Sequence, residues 1–202
     1  MLSNVLDKYY DLNQEPQFVN VGGLMNTIRL IPVVWAKTVS EAIDGVMPLE
    51  VMCLDANYRY YDIEIADDSG RYTETMEQTE NGELWTLDLF FDLPKNRPSA
   101  VAFLKDMIQV EWLVMFETRN HTSYLMGDIG TPLLIKEEAA MSDGRGGTNK
   151  RDWKISGKAL SGANALLGNF LRDLDFVMID GCIVVKVSQA AFSDGFSNGF
   201  NN

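Results

Sequence analysis

The sequence predicts a mainly β protein: an antiparallel β-sandwich or barrel with one short internal helix and an N-terminal helical arm. Three observations point there. Apolar and polar residues alternate over many short runs, the period of a half-buried strand. These runs recur roughly every 8–12 residues with Gly, Asn or Asp between them, as sandwiches and barrels require. Only one internal segment carries a helical period.

Taken in order, Leu2, Val5, Leu6 and Tyr9 stand at helical spacing and Pro16 follows them, so residues 1–16 read as a short amphipathic arm. Leu24 to Trp35 is rich in Ile, Val and Leu but contains Pro32, which predicts an edge strand or a bulge. Tyr61, Ile63 and Ile65 alternate with Tyr60, Asp62 and Glu64. Asp67-Asp68-Ser69-Gly70 is turn chemistry, and the threonine-rich run Arg71–Gln78 favours another strand. Asn81-Gly82 tolerates positive φ and signals a hairpin into a strand with Trp85, Leu87, Leu89 and Phe91 on one face. Residues 60–92 thus read as an antiparallel meander.

Pro94 to Pro98 stops that strand. Pro98 suits an early helical position, where its missing N–H costs nothing. Val101, Leu104 and Ile108 share one face of a helix over 98–109. Trp112, Val114 and Phe116 alternate with Leu113 and Met115, predicting a strand buried on both sides. Arg119-Asn120-His121-Thr122 is a turn, Ser123–Met126 a return strand, and Leu133–Ile135 the start of another. A glycine-rich loop over Asp143–Asn149 precedes the alternation of Trp153 and Ile155 with Lys154 and Ser156. Asp180-Gly181, flanked by Phe176–Ile179 and Cys182–Val187, predicts a type I′ hairpin. About nine strands result. The organisation expected is an arm over 1–16, one β domain over 17–191, and a Gly-Phe tail over 192–202 that is disordered or orders on a partner.

Composition narrows the function. The net charge is −12 with 17 Lys and Arg against 29 Asp and Glu, which argues against a grip on a phosphate backbone. One histidine, His121, excludes a multi-histidine metal site and leaves a single residue for any Ser-His or Cys-His chemistry. Its setting in a turn, without a nucleophile motif, assigns it no catalysis. No apolar run reaches the roughly 18 residues of a membrane helix. Met1–Leu12 lacks the pattern of a secretory leader. Two cysteines, Cys53 and Cys182, suggest a reducing compartment or a fold indifferent to disulfides.

Residues 55–92 hold eleven Asp or Glu against Arg59 and Arg71. The plain interpretation is a solvated sheet face. A sharper one makes Asp62, Glu64, Glu74, Glu77 and Asp88 an acidic patch lining a lumen or an interface, where it would repel DNA. Asp67-Asp68-Ser69-Gly70 lacks the ligand spacing of an EF-hand loop. Two carboxylates would suffice for a glycosidase, but nothing selects the pair. The loop Gly144–Lys150 fails as a phosphate loop, since Arg151 stands where Ser or Thr is needed. With Arg145, Lys150, Arg151, Lys154 and Lys158 it forms the one basic stretch, of which Arg145, Lys150, Arg151 and Lys154 are candidate contacts to the acidic sheet of a second copy. Phe192, Phe196 and Phe200 stand outside any periodic element and are candidates for docking on another chain.

Several of these pieces occur together. A hairpin at Asn81-Gly82, Phe91-Asp92-Leu93-Pro94-Lys95-Asn96-Arg97, a short helix, Trp112–Phe116, the turn at Arg119-Asn120, Tyr124–Asp128, Thr131-Pro132-Leu133, a glycine-rich loop and Trp153–Gly157 follow one another. From about Asn57 to Leu160 this resembles structural proteins in the virions of tailed phages infecting Bacteroidetes, including crAss-like phages. Such proteins look like relatives of tail-tube and neck-ring subunits, built on a β-sandwich or barrel with a flanking helix. The resemblance implies a non-enzymatic, homo-oligomeric ring in the tail or neck, or at the head–tail connection, made in the bacterial host cytoplasm and placed in the virion. DNA would pass through without being held, neighbouring tail, neck or portal-proximal proteins would be its partners, and no cofactor, metal or membrane would be involved. The competing expectation is a carbohydrate- or protein-binding β-sandwich module, with Tyr58, Tyr60 and Tyr72 as its exposed aromatics.

Overall fold

A computed structural model describes residues 23–80, 82–93, 98–142 and 149–188; the proposed arm, the Gly-Phe tail with Phe192, Phe196 and Phe200, and Arg145 lie outside them. The described elements are β1 (Leu24–Pro32), β2 (Ala36–Val39), β3 (Glu50–Asp55), β4 (Tyr61–Glu64), β5 (Arg71–Thr79), β6 (Gly82–Asp92), α1 (Pro98–Asp106), β7 (Glu111–Thr118), β8 (Ser123–Met126), β9 (Leu133–Ser142), β10 (Asn149–Ala159), β11 (Asn164–Ala165), β12 (Leu174–Ile179) and β13 (Cys182–Val187). The fold is mainly β and antiparallel with one short helix, as the alternation predicts, and has thirteen described strands where about nine were expected.

Nine strands form one strongly curled sheet. Its hub is β7. One edge of β7 pairs with β1, which pairs in turn with β4. The other edge is shared by β8 and the start of β9, and the sheet continues through β10 and β6 to β5. The curl does not close into a barrel. Between its two ends, β4 and β5, among the described residues only the 65–70 turn makes a bridge, through the Leu24 N–H to Gly70 O and the Ala66 N–H to Asp92 O. The sandwich half of the expectation holds and the barrel half does not.

Period two explains the two cores. Inward residues of the curl, among them Ile28, Leu30, Leu87, Leu89, Phe91, Trp112, Val114, Phe116, Trp153 and Ile155, pack into one cluster that Val101 and Leu104 of α1 cap. Outward residues of β1 and β7, namely Ile31, Leu113 and Met115, form a second cluster with Met52, Leu54, Val185 and Val187. Those last four belong to a separate four-stranded sheet of order β12-β13-β3-β2. Strand β7 is therefore buried on both faces, because it stands between the two clusters and contributes to each. Close packing also leaves little room where β10 meets the start of β9: a Cβ at Gly157 would lie 2.8 Å from Pro132 O and 2.6 Å from Leu133 Cδ2.

Three expectations are corrected. Pro32 does not mark an edge: β1 is paired on both sides, and Pro32 merely ends it before the 3-10 turn Val33–Trp35. The irregularity lies instead between Leu24 and Ile28. Residues 60–92 are not one meander, because β4 pairs with β1 while only β5 and β6 form the hairpin. The cysteines are not idle either. Cys53 on β3 and Cys182 on β13 are joined in a disulfide, with Cα atoms 5.9 Å apart. The type I′ turn is as expected, with φ of 50° at Asp180 and 75° at Gly181.

Candidate functional site

The acidic residues of 55–92 do not share one surface. Strand parity and curvature send them to three places. Asp62 and Glu64 lie on the outer side of β4, opposite inward Ile63. Glu74 lies on the inner side of β5, where its carboxylate accepts hydrogen bonds from the Tyr72 hydroxyl and from the Ala163 N–H at 3.1 Å. Glu77 and Asp88 lie on the outer side of the β5–β6 hairpin, with Glu77 exposed and Asp88 largely covered.

The basic stretch runs along β10, which is paired directly to acidic β6 in the same chain. Lys154 Nζ is 3.1 Å from Asp88 Oδ2, and the Ser156 hydroxyl donates to Asp88 Oδ1 at 2.6 Å. Phe90 lies between two cations, Arg71 at 4.4 Å and Lys154 at 5.0 Å from its ring centre. Lys154 and Asp88 thus satisfy one another within one copy. Lys150 and Arg151 stand farther along β10, opposite Met141 and Ala140 of β9.

The most connected polar site escaped the sequence reading. Arg29 is buried between the two sheets. Its Nε and Nη2 donate to the two oxygens of Asp62 at 2.8 and 3.0 Å, and its Nη1 donates to Phe170 O at 3.0 Å. The fork geometry of a guanidinium matches a carboxylate in this way. The guanidinium also sits 4.1 Å from the centre of the Tyr60 ring. Tyr58, Tyr60 and Phe176 pack against one another with ring centres 5.5–6.1 Å apart. Tyr58 and Tyr60, but not Tyr72, therefore share a cluster. Tyr72 turns inward onto Phe116 and Tyr124.

His121 adopts a φ of 61° in the β7–β8 turn, and its Nδ1 lies 3.1 Å from Oε1 of buried Glu117. The other Glu117 oxygen accepts from Asn169 Nδ2 at 2.6 Å. Ser123 is buried beside this network, but its hydroxyl accepts the Phe170 N–H at 3.2 Å. The carboxylate and the hydroxyl both hold the 166–173 segment against β7 and β8. That is a structural use of the groups a hydrolase would need as base and nucleophile. Among the described residues, no three His, Cys, Asp or Glu side chains converge as metal ligands.

Burial first, and then the Glu74 carboxylate that its hydroxyl contacts, hold the Tyr72 phenol above its ordinary pKa of 10.0. Burial also raises Tyr58. A phenol that ionises later when folded contributes stability that is complete below pH 10 and is lost as pH rises above it. We expect the urea midpoint to fall above about pH 10, and Tyr72→Phe to flatten that fall. An unchanged alkaline slope in Tyr72→Phe would remove Tyr72 from the account.

No protein-family model, no curated protein and no solved structure matches the chain.

Proposed function

We propose that this chain is a non-enzymatic virion subunit that assembles with copies of itself into a ring in the tail or neck of a tailed bacteriophage, around a conduit for the genome. The observation that carries the proposal is the open end of the curled sheet at β5. This strand is nine residues long, largely exposed and, among the described residues, paired on one side only, with β6. An unpaired edge is a template for another chain. The resemblance over residues 57–160 supplies the setting, and the excess negative charge suits a channel through which DNA must slide. Light scattering together with negative-stain microscopy of the purified chain tests it. Closed rings of one size are expected. A monomer at every concentration, absent also from purified virions, would refute it.

The Tyr58–Tyr60–Phe176 cluster favours a second reading, a carbohydrate-binding module, since exposed aromatic rings can stack on sugars. Titration with glycans separates the two readings. Saturable binding lost in Tyr60→Ala, by a chain that forms no rings, would establish the module.

A further inference from the structure

We propose that a second copy docks on the outer face of strands β9, β10, β6 and β5, laying the acidic end of its β5–β6 hairpin across the basic residues there. The inference rests on the ring reading and names the contact that would build it.

Strand parity sets the face. Ile135, Trp153, Ile155, Leu87 and Leu89 point into the first core, so the residues that alternate with them point out. Pairing puts three cations in one outward row: Lys136 stands opposite Lys154, Lys154 opposite Phe90, and Phe90 opposite Arg71. Lys158 lies farther along β10, opposite Thr86. Between them sits one carboxylate, Asp88, which is engaged by Lys154 and the Ser156 hydroxyl. Arg71, Lys136 and Lys158 are exposed, and among the described residues none of the three forms an ion pair. This is a basic face on a chain of net charge −12. Like charges directly opposite one another on adjacent strands destabilise a sheet, and Lys136 faces Lys154 in this way. An anionic group laid over the row would relieve them. The second sheet does not cover the face, since β5, β6, β9 and β10 contribute nothing to the second core.

The same chain supplies a matching acidic element. Strand β10 pairs with β6 no farther than Trp85, so Glu77–Thr79 and Gly82–Leu84 are paired, among the described residues, only with one another. Three residue pairs at roughly 3.4 Å per residue make a ribbon that projects about 10 Å. A lone two-stranded ribbon is marginal in water and gains from a third surface. Glu77, Glu80 and Glu83 are exposed on this one, and no Lys or Arg occurs from Tyr72 to Pro94. Asn81, outside the described residues, takes no part in the argument. A chain this acidic repels an extended polyanion at range, so a local cluster of carboxylates on a second copy suits the face better than nucleic acid does.

The geometry favours succession over reciprocal pairing. Glu77 has the parity of the outer face, whereas Glu83 has the parity of inward Trp85. The inner side of the ribbon can therefore lie on a neighbour while the outer face of the same copy receives the next ribbon. Donor and receptor are different surfaces, so the contact is heterologous and closes into a ring or runs on as a filament.

Charge reversal with a swap tests the contact. Lys136→Glu with Lys158→Glu should weaken self-association about tenfold to a hundredfold in sedimentation velocity, more so at low salt. Glu80→Lys with Glu83→Lys should do the same. Mixing the two variants should restore association, because each then meets the opposite charge on the unlike copy. Circular dichroism checks that each variant is folded. Where a reversal is not, the neutral pairs Lys136→Gln with Lys158→Gln and Glu80→Gln with Glu83→Gln should still weaken association, by less. Assembly untouched by the folded variants, or no recovery on mixing, overturns the hairpin contact and leaves the ring standing. A wild-type chain that never associates overturns both.

Discussion

Asp62→Ala is expected to destabilise the protein by about 3 kcal/mol, although Asp62 is itself more than a third exposed. The reason lies in its partner. The Arg29 side chain is only 6% exposed, and without the carboxylate its charge would remain between the two sheets with Phe170 O and aromatic rings as its company. Removing one partner of a buried pair leaves an uncompensated buried charge, which is the costly outcome. The reverse change should be milder. In Arg29→Met the charge leaves, a flexible apolar side chain fills much of the space, and Asp62 is free to hydrate. The remaining loss is the unpaired Phe170 carbonyl and the stacking on Tyr60, about 1–2 kcal/mol in all. Urea unfolding of the two variants measures the asymmetry. Equal losses, or an Asp62→Ala loss below about 1 kcal/mol, would mean that water reaches Arg29 and that the pair behaves as a surface ion pair.

Arg29 also shows why some of the molecule was legible in the sequence and some was not. Strands with a core on one side announce themselves: Leu87, Leu89 and Phe91 alternate with Asp88 and Phe90, and the structure buries the first set. Strand β7 could be placed because its run is apolar on both parities and lies between clear turns. Of the second sheet, Asp180-Gly181 marked the β12–β13 hairpin, but β2 and β3 left no comparable trace. Strand β3 has adjacent buried residues, Val51 and Met52, and its pairings with β2 and β13 both shift register, so neither period fits it. Strand β2 is four residues of mixed character. Without that sheet, Arg29 reads as an ordinary polar position on a strand. Its partner is 33 residues away on a strand whose neighbour could not be inferred from local pattern. The acidic residues show the complementary limit. Alternation placed most of them off the core, but the curl of the sheet decides where each face points, and Glu74 turned inward to close on the 160–163 loop.

Removing the Cys53–Cys182 disulfide should lower stability by about 2–5 kcal/mol. The bond closes a loop of 129 residues, nearly two thirds of the chain, so it restricts the unfolded state heavily. In the folded state it joins two strands that are already paired, with Val184 beside Cys53 and Cys182 beside Asp55. Few native contacts therefore depend on it, and the double variant Cys53→Ser, Cys182→Ser should keep the fold. Its effect should appear as a lower midpoint, in heating by roughly 5–15 °C for a chain of this size. Reductant should shift the wild-type protein by a similar amount and leave the double variant where it is. The gain should also extend to the larger sheet, because the loop from 53 to 182 contains β4 through β12. Residues in β6 and β10 should accordingly lose hydrogen-exchange protection in the reduced protein, by up to the whole change in global stability. Local loosening confined to β3 and β13 would show that the bond merely fastens the two central strands of the second sheet. Two thiols titrating in the unreduced, denatured chain would show that it does not form.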